Sequence, residues 1–320
     1  PELYKLYNKT CENIFIGKKF NRLEKYSTFT ELSKKDKWLF NLEVIRGFHN
    51  GFNYLEKIKS NASEMLKMIL ITSMMEVSNA KKDGKCLRYK ENWLERNYCK
   101  NDLIDSLTKN YLKVEEDVKL STINKLPRII NSDTRKFLNN SNEKYDLIVT
   151  SPPYLNTFDY TDIYRPELFL GNLIKYSESL YNLRLKTIRS HIQAKWKTPN
   201  LKNNDSIILN DVVKKLISKK DFLMHPRIPD MILAYFEDMK IIFKKLSSKS
   251  NKNANMWMVV SNSAYANEEI PVDLILSDIA TKNGWRLVEI GVLREIQKRK
   301  TRYSPDIKTL RESVIILEKI

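Results

Sequence analysis

The stretch DLIVTSPPYLNTFDY, residues 146–160, places two consecutive prolines directly after an apolar run that is typical of a buried strand. The chain has only 10 prolines in 320 residues, so the pair is a specific feature of this position. Proline cannot donate a backbone hydrogen bond and fixes its own φ angle, so Pro152 and Pro153 end the strand and stiffen the loop that follows. A stiff loop at a strand end predicts a ligand site.

Other β-rich runs lie before and after this strand: RIINSD (128–133), NMWMVVSNS (255–263), RLVEIGVL (286–293) and ESVIILEK (312–319). Helical patterns separate several of them, notably at residues 230–246 and 271–284. This alternation predicts an α/β fold with a mostly parallel sheet covered by helices. The last two runs are close enough in sequence to form an antiparallel hairpin at the edge of that sheet.

The periodicity also divides the chain into regions. Residues 1–125 show apolar spacing of about 3.6 residues, which predicts a helical region. Residues 126–175 and 230–320 carry the strands and are predicted to form the core that holds the ligand site. Residues 176–229 break the pattern and are rich in basic and aromatic side chains, which indicates an inserted loop or small subdomain.

The charge of the chain points to a polyanionic partner. The formal net charge is +17, and lysine and arginine gain by releasing counterions from phosphates. A solvated lysine-rich surface is the alternative interpretation. The basic insertion provides the residues predicted to contact nucleic acid: Arg189, Lys195, Trp196, Lys197 and Arg227.

Several classes of protein are disfavoured. Cys11, Cys86 and Cys99 form no C-x-x-C pair, and the three histidines are scattered, so we expect no metal site. No apolar stretch reaches the roughly 20 residues that a membrane span requires, and no signal peptide is recognisable. We therefore expect a cytoplasmic protein with reduced thiols and no membrane partner.

The run VTSPPY, residues 149–154, resembles motif IV of the amino-methylating DNA methyltransferases, which methylate cytosine N4 or adenine N6 with S-adenosylmethionine. The sequence from Val149 to Tyr154 is most similar to the cytosine-N4 group. KCLRYK and NSDTRKFL before this run, and VVSNSAY, LREIQKR and LRESVIILEK after it, resemble one subgroup of the same enzymes, and the resemblance extends from about Trp38 to the end. It implies a Rossmann-like methyltransferase sheet, double-stranded DNA as substrate and a role in restriction-modification.

The chemistry of amine methylation fits these residues. The lone pair of an exocyclic amine is delocalised into the base, so acceptors aimed at its hydrogens help the nitrogen to pyramidalise. The Ser151 hydroxyl and the Pro152 carbonyl are suited to accept those hydrogen bonds, because Pro153 offers no competing N–H. Tyr154 would stack on a flipped-out base. The alternative is that the two prolines merely stop a strand.

Asp133 closes the run before the strand of the proline pair. The resemblance implies that the acidic residue at this position contacts the adenine end of S-adenosylmethionine. An N-cap for the helical run TRKFLNN is the alternative.

One feature of the resembled family is missing. Its cofactor half carries a glycine-rich turn of the type F-x-G-x-G, whereas no two of the seven glycines here form G-x-G. We expect a C-terminal part of such an enzyme, with the cofactor half on a second subunit or an upstream segment. The chain alone should then bind cofactor weakly and be inactive.

Three alternatives to cytosine-N4 methylation of DNA remain open. An adenine-N6 methyltransferase would use the same chemistry, because both bases present an amine beside a ring acceptor. A methyltransferase of RNA or of a protein amide would keep the loop and change the substrate. A non-catalytic DNA-binding subunit would account for the missing glycine turn.

Overall fold

The computed structural model describes residues 1–16, 21–84, 86–122, 125–197, 199, 206–297, 303, 304 and 306–320. The described chain divides into two compact units. The helical unit comprises Pro1–Arg128 and Thr161–Tyr176, and the sheet unit comprises Ile129–Tyr160 and Ser177–Ile320. The assignment of residues 126–175 and 230–320 to a catalytic core, and of 176–229 to an insertion, stays a prediction.

Five α-helices and one pair of strands are described in the helical unit. The helices are α1 (Glu2–Phe15), α2 (Leu42–Glu56), α3 (Asn61–Glu76), α4 (Lys100–Leu120) and α7 (Arg165–Leu170), and an antiparallel pair of strands, β1 (Ala80–Asp83) and β2 (Cys86–Tyr89), lies between α3 and α4 along the chain. In α2 the apolar spacing buries Val44, Phe48 and Leu55 on one face. The lack of a side chain at Gly51 lets α1 approach closely, because a Cβ there would lie 3.2 Å from the Ile14 side chain.

The sheet unit contains a mixed four-stranded sheet in the order β3–β4–β8–β7. Its strands are β3 (Tyr145–Thr150), β4 (Ser250–Ser261), β7 (Trp285–Gln297) and β8 (Thr309–Lys319), and a separate hairpin joins β5 (Ser263–Tyr265) to β6 (Glu268–Ile270). Strands β3 and β4 are parallel, and β8 runs antiparallel to both β4 and β7. The predicted α/β class and the antiparallel hairpin at the sheet edge are confirmed. The prediction of a mostly parallel sheet is wrong, because β8 pairs antiparallel with both of its neighbours and β3–β4 is the one parallel pair described in this sheet.

Helices cover one face of this sheet. The remaining α-helices are α5 (Thr134–Asn140), α6 (Tyr160–Ile163), α8 (Ser177–Arg184), α9 (Ile207–Ser218), α10 (Ile228–Ser248) and α11 (Val272–Thr281). The boundary between the two units falls within α6, after Tyr160. Met256 and Met258 of β4 are buried in one hydrophobic cluster with Phe243 of α10 and Ile275 of α11. Among the helices of the described residues we find no candidate for a membrane-spanning segment.

The opposite face and one edge of the sheet are open. Val149 of β3 is paired with Trp257 of β4 in the register, and both side chains are exposed, Val149 by 68%. Side chains alternate between the faces of a strand, so these residues point away from the helix-covered core. Among the described residues, no strand pairs with the outer edge of β3. The prediction that this run forms a buried strand is therefore wrong, because β3 lies at the edge of the sheet and no described element covers Leu147 and Val149.

The prediction of a strand at residues 128–133 is wrong. The segment runs as irregular chain, and Ile129 is 87% exposed. A strand is stable only when a neighbour satisfies its backbone groups and covers its apolar side chains, and the described chain provides no such neighbour here. The β-rich composition of the run is therefore not sufficient to form a strand.

The buried imidazole of His49 makes the stability of the helical unit depend on pH. His49 on α2 is 5% exposed, and burial lowers its pKa from 6.5 to about 4. Between these values the unfolded chain binds a proton that the folded protein excludes, so the free energy of unfolding falls as the pH drops from about 6.5 to 4. We expect a loss on the order of 3 kcal/mol across this range.

Urea titrations at pH 7 and pH 4.5 measure this loss. His49→Gln should reduce the difference in unfolding free energy between the two pH values, whereas the matched variant His225→Gln should leave it unchanged. An unaltered pH dependence in His49→Gln would contradict the assignment.

Candidate active site

The loop after β3 presents the residues singled out by the sequence. Ser151 is exposed directly after the strand, Pro152 is buried, and Pro153 and Tyr154 are half-buried. Leu155 then turns into the core with no exposed surface. The two prolines thus lie between an accessible hydroxyl and a buried anchor, as expected for a loop that holds a side chain at a surface.

Hydrogen bonds from the segment after β4 fix this loop. The Leu155 carbonyl accepts a hydrogen bond of 3.0 Å from the Tyr265 hydroxyl and another from the Ser263 hydroxyl. Two residues on, the Thr157 N–H donates to the Ser190 carbonyl at 3.1 Å, and Thr157 has a left-handed φ of 63°. A non-glycine residue in this region needs support from its surroundings, so the loop conformation is imposed by its contacts.

Tyr154 is held by a charged pair on the β7–β8 hairpin. Its hydroxyl donates to Glu312 Oε1 at 2.8 Å, and Glu312 Oε2 accepts from Arg294 Nε at 2.6 Å. Burial and the nearby Glu312 carboxylate raise the pKa of Tyr154, with Ser151 acting in the opposite direction, so the phenol stays protonated at neutral pH. The hydrogen bond from Arg294 lowers the pKa of Glu312, which stays ionised.

The sequence interpretation did not include Glu312 or Arg294. A signal for them exists, because Glu312 begins one of the two runs predicted to form a hairpin and Arg294 directly follows the other. Opposite charges on facing positions of a hairpin commonly pair across the strands. The register of the structure places Arg294 opposite Glu312.

Asp133 is already engaged by its neighbours. It is the N-cap of α5, where its carboxylate accepts a hydrogen bond from the Arg135 N–H at 3.0 Å, and it forms an ion pair with the Arg135 guanidinium. Burial disfavours the charged carboxylate, but the hydrogen bonds from Arg135 outweigh it and lower the pKa of Asp133. The alternative interpretation of this residue, a helix cap, describes its contacts in the structure.

The contacts of Asp133 do not match the role at S-adenosylmethionine that the resemblance implies for this residue. The carboxylate of Asp133 is occupied by Arg135, residues 129–132 before it are irregular, and the sequence has no glycine turn. We therefore derive no chemical step that involves the cofactor from these residues. A cluster of three metal-ligating side chains is likewise not found in the part of the chain that the structure describes.

Arg189 takes part in a buried ion-pair network. Its guanidinium contacts Glu237 at 2.6 Å and Asp238 at 2.9 Å, and its backbone N–H also donates to Asp238. Arg135 binds the same Asp238 carboxylate at 2.8 Å. Burial disfavours the charge of Arg189, but these carboxylates raise its pKa. The side chain predicted to contact DNA thus has a structural role in this network.

The other predicted DNA-contact residues come together on the surface. Lys195, Trp196 and Arg227 line a shallow cavity of about 270 Å³, with Pro199 and Asp230. The Arg227 guanidinium lies 5.0 Å from the centre of the Trp196 ring, and Lys197 is exposed beside it in sequence. A guanidinium stacked on an aromatic ring keeps free edges for a phosphate or a base.

The sequence is similar to curated Type II methyltransferases. It is 26% identical to the Type II methyltransferase M.BsoBI of Geobacillus stearothermophilus over an alignment of 357 residues, which covers 95% of this chain and 67% of the relative. It is 26% identical over 269 residues to the Type II methyltransferase M.AvaI of Nostoc sp. and to that of Anabaena variabilis, with 75% of this chain and 55% of each relative covered. The chain therefore spans between about half and two thirds of the length of these relatives. No family model and no solved structure matches it.

The ion pairs of Arg189 predict a loss of stability when this side chain is removed. Arg189→Ala leaves the buried Asp238 carboxylate with Arg135 as its remaining guanidinium partner, so we expect the free energy of unfolding to fall by about 2 kcal/mol. The exposed Lys195→Ala serves as the matched control and should change it by less than about 0.5 kcal/mol. Urea titration measures both, and equal stabilities of the two variants would show that Arg189 is not structural.

Proposed function

We propose that this chain is the target-base part of a DNA methyltransferase that modifies the exocyclic N4 of cytosine, in a restriction-modification system. The observation that carries the proposal is the loop from Ser151 to Tyr154, held in one conformation at the carboxyl end of β3 with its serine exposed. In open α/β sheets this end of the strands is where ligands bind. The similarity to Type II methyltransferases supports the same activity.

The target amine is bound by two oxygen acceptors. The Ser151 hydroxyl and the Pro152 carbonyl accept the two N–H groups of the exocyclic amine, which draws its lone pair out of conjugation with the ring. Pro153 has no N–H that would compete for the base. Because Leu155 is anchored in the core, binding does not require the loop to rearrange.

Tyr154 provides the surface for the flipped base. A nucleotide extruded from a duplex loses stacking of a few kcal/mol, and an aromatic side chain replaces part of it. The hydrogen bond from the Tyr154 hydroxyl to Glu312 holds the ring in one plane. A ring held in this way loses little conformational entropy when a base stacks on it.

The DNA backbone is bound by the basic surface of the sheet unit. The net charge of +17 favours association with a polyanion, and Lys195, Trp196, Lys197 and Arg227 provide exposed or half-buried contacts. In our proposal Arg189 does not contact DNA directly. It supports this surface instead, through its ion pair with Asp238.

S-adenosylmethionine is bound by a polypeptide segment outside these 320 residues. The sequence lacks the glycine turn, and the relatives extend beyond the matched region. The free edge of β3 and the exposed Val149 are suited to receive additional strands and their covering helices. A non-catalytic DNA-binding subunit is the second candidate function, favoured by the missing glycine turn.

The loop hypothesis predicts that Ser151→Ala lowers methylation by about a hundredfold or more, because one acceptor for the amine is lost. The protein, together with the polypeptide that carries the glycine turn, is incubated with unmethylated DNA and S-adenosylmethionine, and the nucleosides are analysed by mass spectrometry. Ser248→Ala, at an exposed serine that ends α10, is the matched control. Formation of N4-methylcytosine by the unsubstituted protein supports the proposal, whereas N6-methyladenine would assign adenine as the target base. Methylation that is unchanged in Ser151→Ala would indicate a non-catalytic subunit.

The open edge predicts where the cofactor part binds. Val149→Lys places a charge on the exposed face of β3, and we expect it to weaken association with the glycine-turn polypeptide at least tenfold without unfolding the sheet unit. Val292→Lys, at an exposed valine of the opposite edge strand β7, is the matched control and should bind normally. Calorimetric titration measures both affinities, and full methylation by the 320-residue chain alone would refute this part of the proposal.

A further inference from the structure

The guanidinium of Arg227 is held in one orientation. Its Nη1 atom donates a hydrogen bond of 3.0 Å to the carbonyl of the buried Ala194, and its Cζ atom lies 5.0 Å from the centre of the Trp196 ring. Its backbone N–H donates to His225 Nδ1 at 3.1 Å, at the position that caps α10. Trp196 in turn packs against the core of the sheet unit and makes an edge contact with the buried His191. The orientation of Arg227 is therefore fixed before any ligand binds.

This fixed guanidinium keeps one edge for a ligand. The Nη1 atom is bound to Ala194, whereas the edge formed by Nε and Nη2 makes no hydrogen bond to another residue that the structure describes. Two parallel N–H groups of this kind match N7 and O6 of guanine, which both face the major groove of DNA. Lys195 and Lys197 differ, because they are exposed point charges on flexible stems and are suited to phosphates.

Asp230 favours a base over a phosphate as the ligand of this edge. Its exposed side chain lines the same cavity of about 270 Å³ as Arg227 and Trp196. The contacts described for the Arg227 guanidinium are with Ala194 and Trp196 rather than with Asp230. A carboxylate repels a phosphate, but it accepts a hydrogen bond from the N4 amino group of cytosine in the major groove. A guanidinium and a carboxylate in one cavity thus match the two halves of a G·C pair.

We propose that Arg227 and Asp230 read a G·C base pair of the recognition sequence from the major groove, with guanine N7 and O6 on the guanidinium and cytosine N4 on the carboxylate. This inference rests on the proposed function, because it takes double-stranded DNA as the substrate. Trp196 fixes the plane of the guanidinium. Lys195 and Lys197 contact phosphates and hold the duplex against the cavity.

The cavity lies close to the loop proposed to bind the target base. The Thr157 N–H of that loop donates to the Ser190 carbonyl at 3.1 Å, and Trp196 follows Ser190 by six positions. A fully extended segment of this length spans at most about 22 Å. This span is shorter than the roughly 34 Å of one turn of B-DNA. The base pair read at the cavity is therefore expected within about one helical turn of the target base.

Selection from random DNA measures the preference for the base. The complex of this chain with the polypeptide that carries the glycine turn is incubated with a random duplex library, and the bound duplexes are sequenced. We expect a position at which guanine is preferred over adenine about tenfold or more, and Arg227→Gln should abolish or reverse this preference, because glutamine matches adenine. Lys195→Gln is the matched control, since it removes the same charge from the same surface. It should weaken binding to all sequences alike and keep the preference.

Asp230→Ala separates base reading from simple repulsion of DNA. A carboxylate that only repels phosphates would, when removed, strengthen binding to every sequence. A carboxylate that accepts from cytosine would, when removed, weaken binding to the selected duplex by about fivefold or more. A tighter complex with the selected duplex, or an unchanged one, would overturn the role of Asp230.

Modified DNA tests the same contact with the unsubstituted protein. Replacing the selected guanine by 7-deazaguanine removes the N7 acceptor and should weaken binding about tenfold. Replacing it by inosine, which lacks only the amino group in the minor groove, should leave binding unchanged. The absence of a selected guanine, an unchanged preference in Arg227→Gln, or a loss with inosine but not with 7-deazaguanine overturns the proposal.

These measurements follow binding and need no methyl transfer. Methylation of the selected duplex is assayed separately with S-adenosylmethionine. A selected duplex that is bound through its guanine but is not methylated would refute the proposed function and leave the base reading intact. Methylation without any preference at a guanine would do the reverse.

Discussion

The site in the sheet unit depends on the buried carbonyl of Leu155. It joins the loop after β3 to the segment after β4, because it accepts hydrogen bonds from Tyr265 and Ser263. Leaving a buried acceptor without partners costs about 1–3 kcal/mol, so the two hydroxyls strongly favour one loop conformation. The position of Ser151 at the surface and the contact of Tyr154 with Glu312 both follow from that anchor.

The excess of basic residues serves two different purposes. Arg135 and Arg189 neutralise the buried Asp238, and Arg311 does the same for the buried Asp273 at the start of α11. Such pairs fix the arrangement of helices and strands, since an unpaired buried carboxylate is strongly unfavourable. Exposed lysines such as Lys195 and Lys197 contribute instead to the net positive charge, which in our proposal attracts DNA.

The sheet is asymmetric in its coverage. Helices α10 and α11 bury one face, whereas Val149 and Trp257 on the other face are exposed, and none of the described strands pairs with the outer edge of β3. Parallel strands are usually covered on both faces, and exposed apolar strand edges are sites of association. An apolar face and a free edge on the same strand favour the docking of further α/β structure at this position.

The sequence by itself determined the strands β3, β4, β7 and β8 and the stiff loop, because apolar runs and proline act through the local backbone. It did not determine the state of residues 128–133, since a strand exists only with a neighbour beside it. Arg189 shows the same limit, because its charge is visible in the sequence and its buried partner is not. Only the tertiary structure brought Glu312 to Tyr154 across 158 positions of the chain, and contacts over such separations depend on how strands pair rather than on local preference.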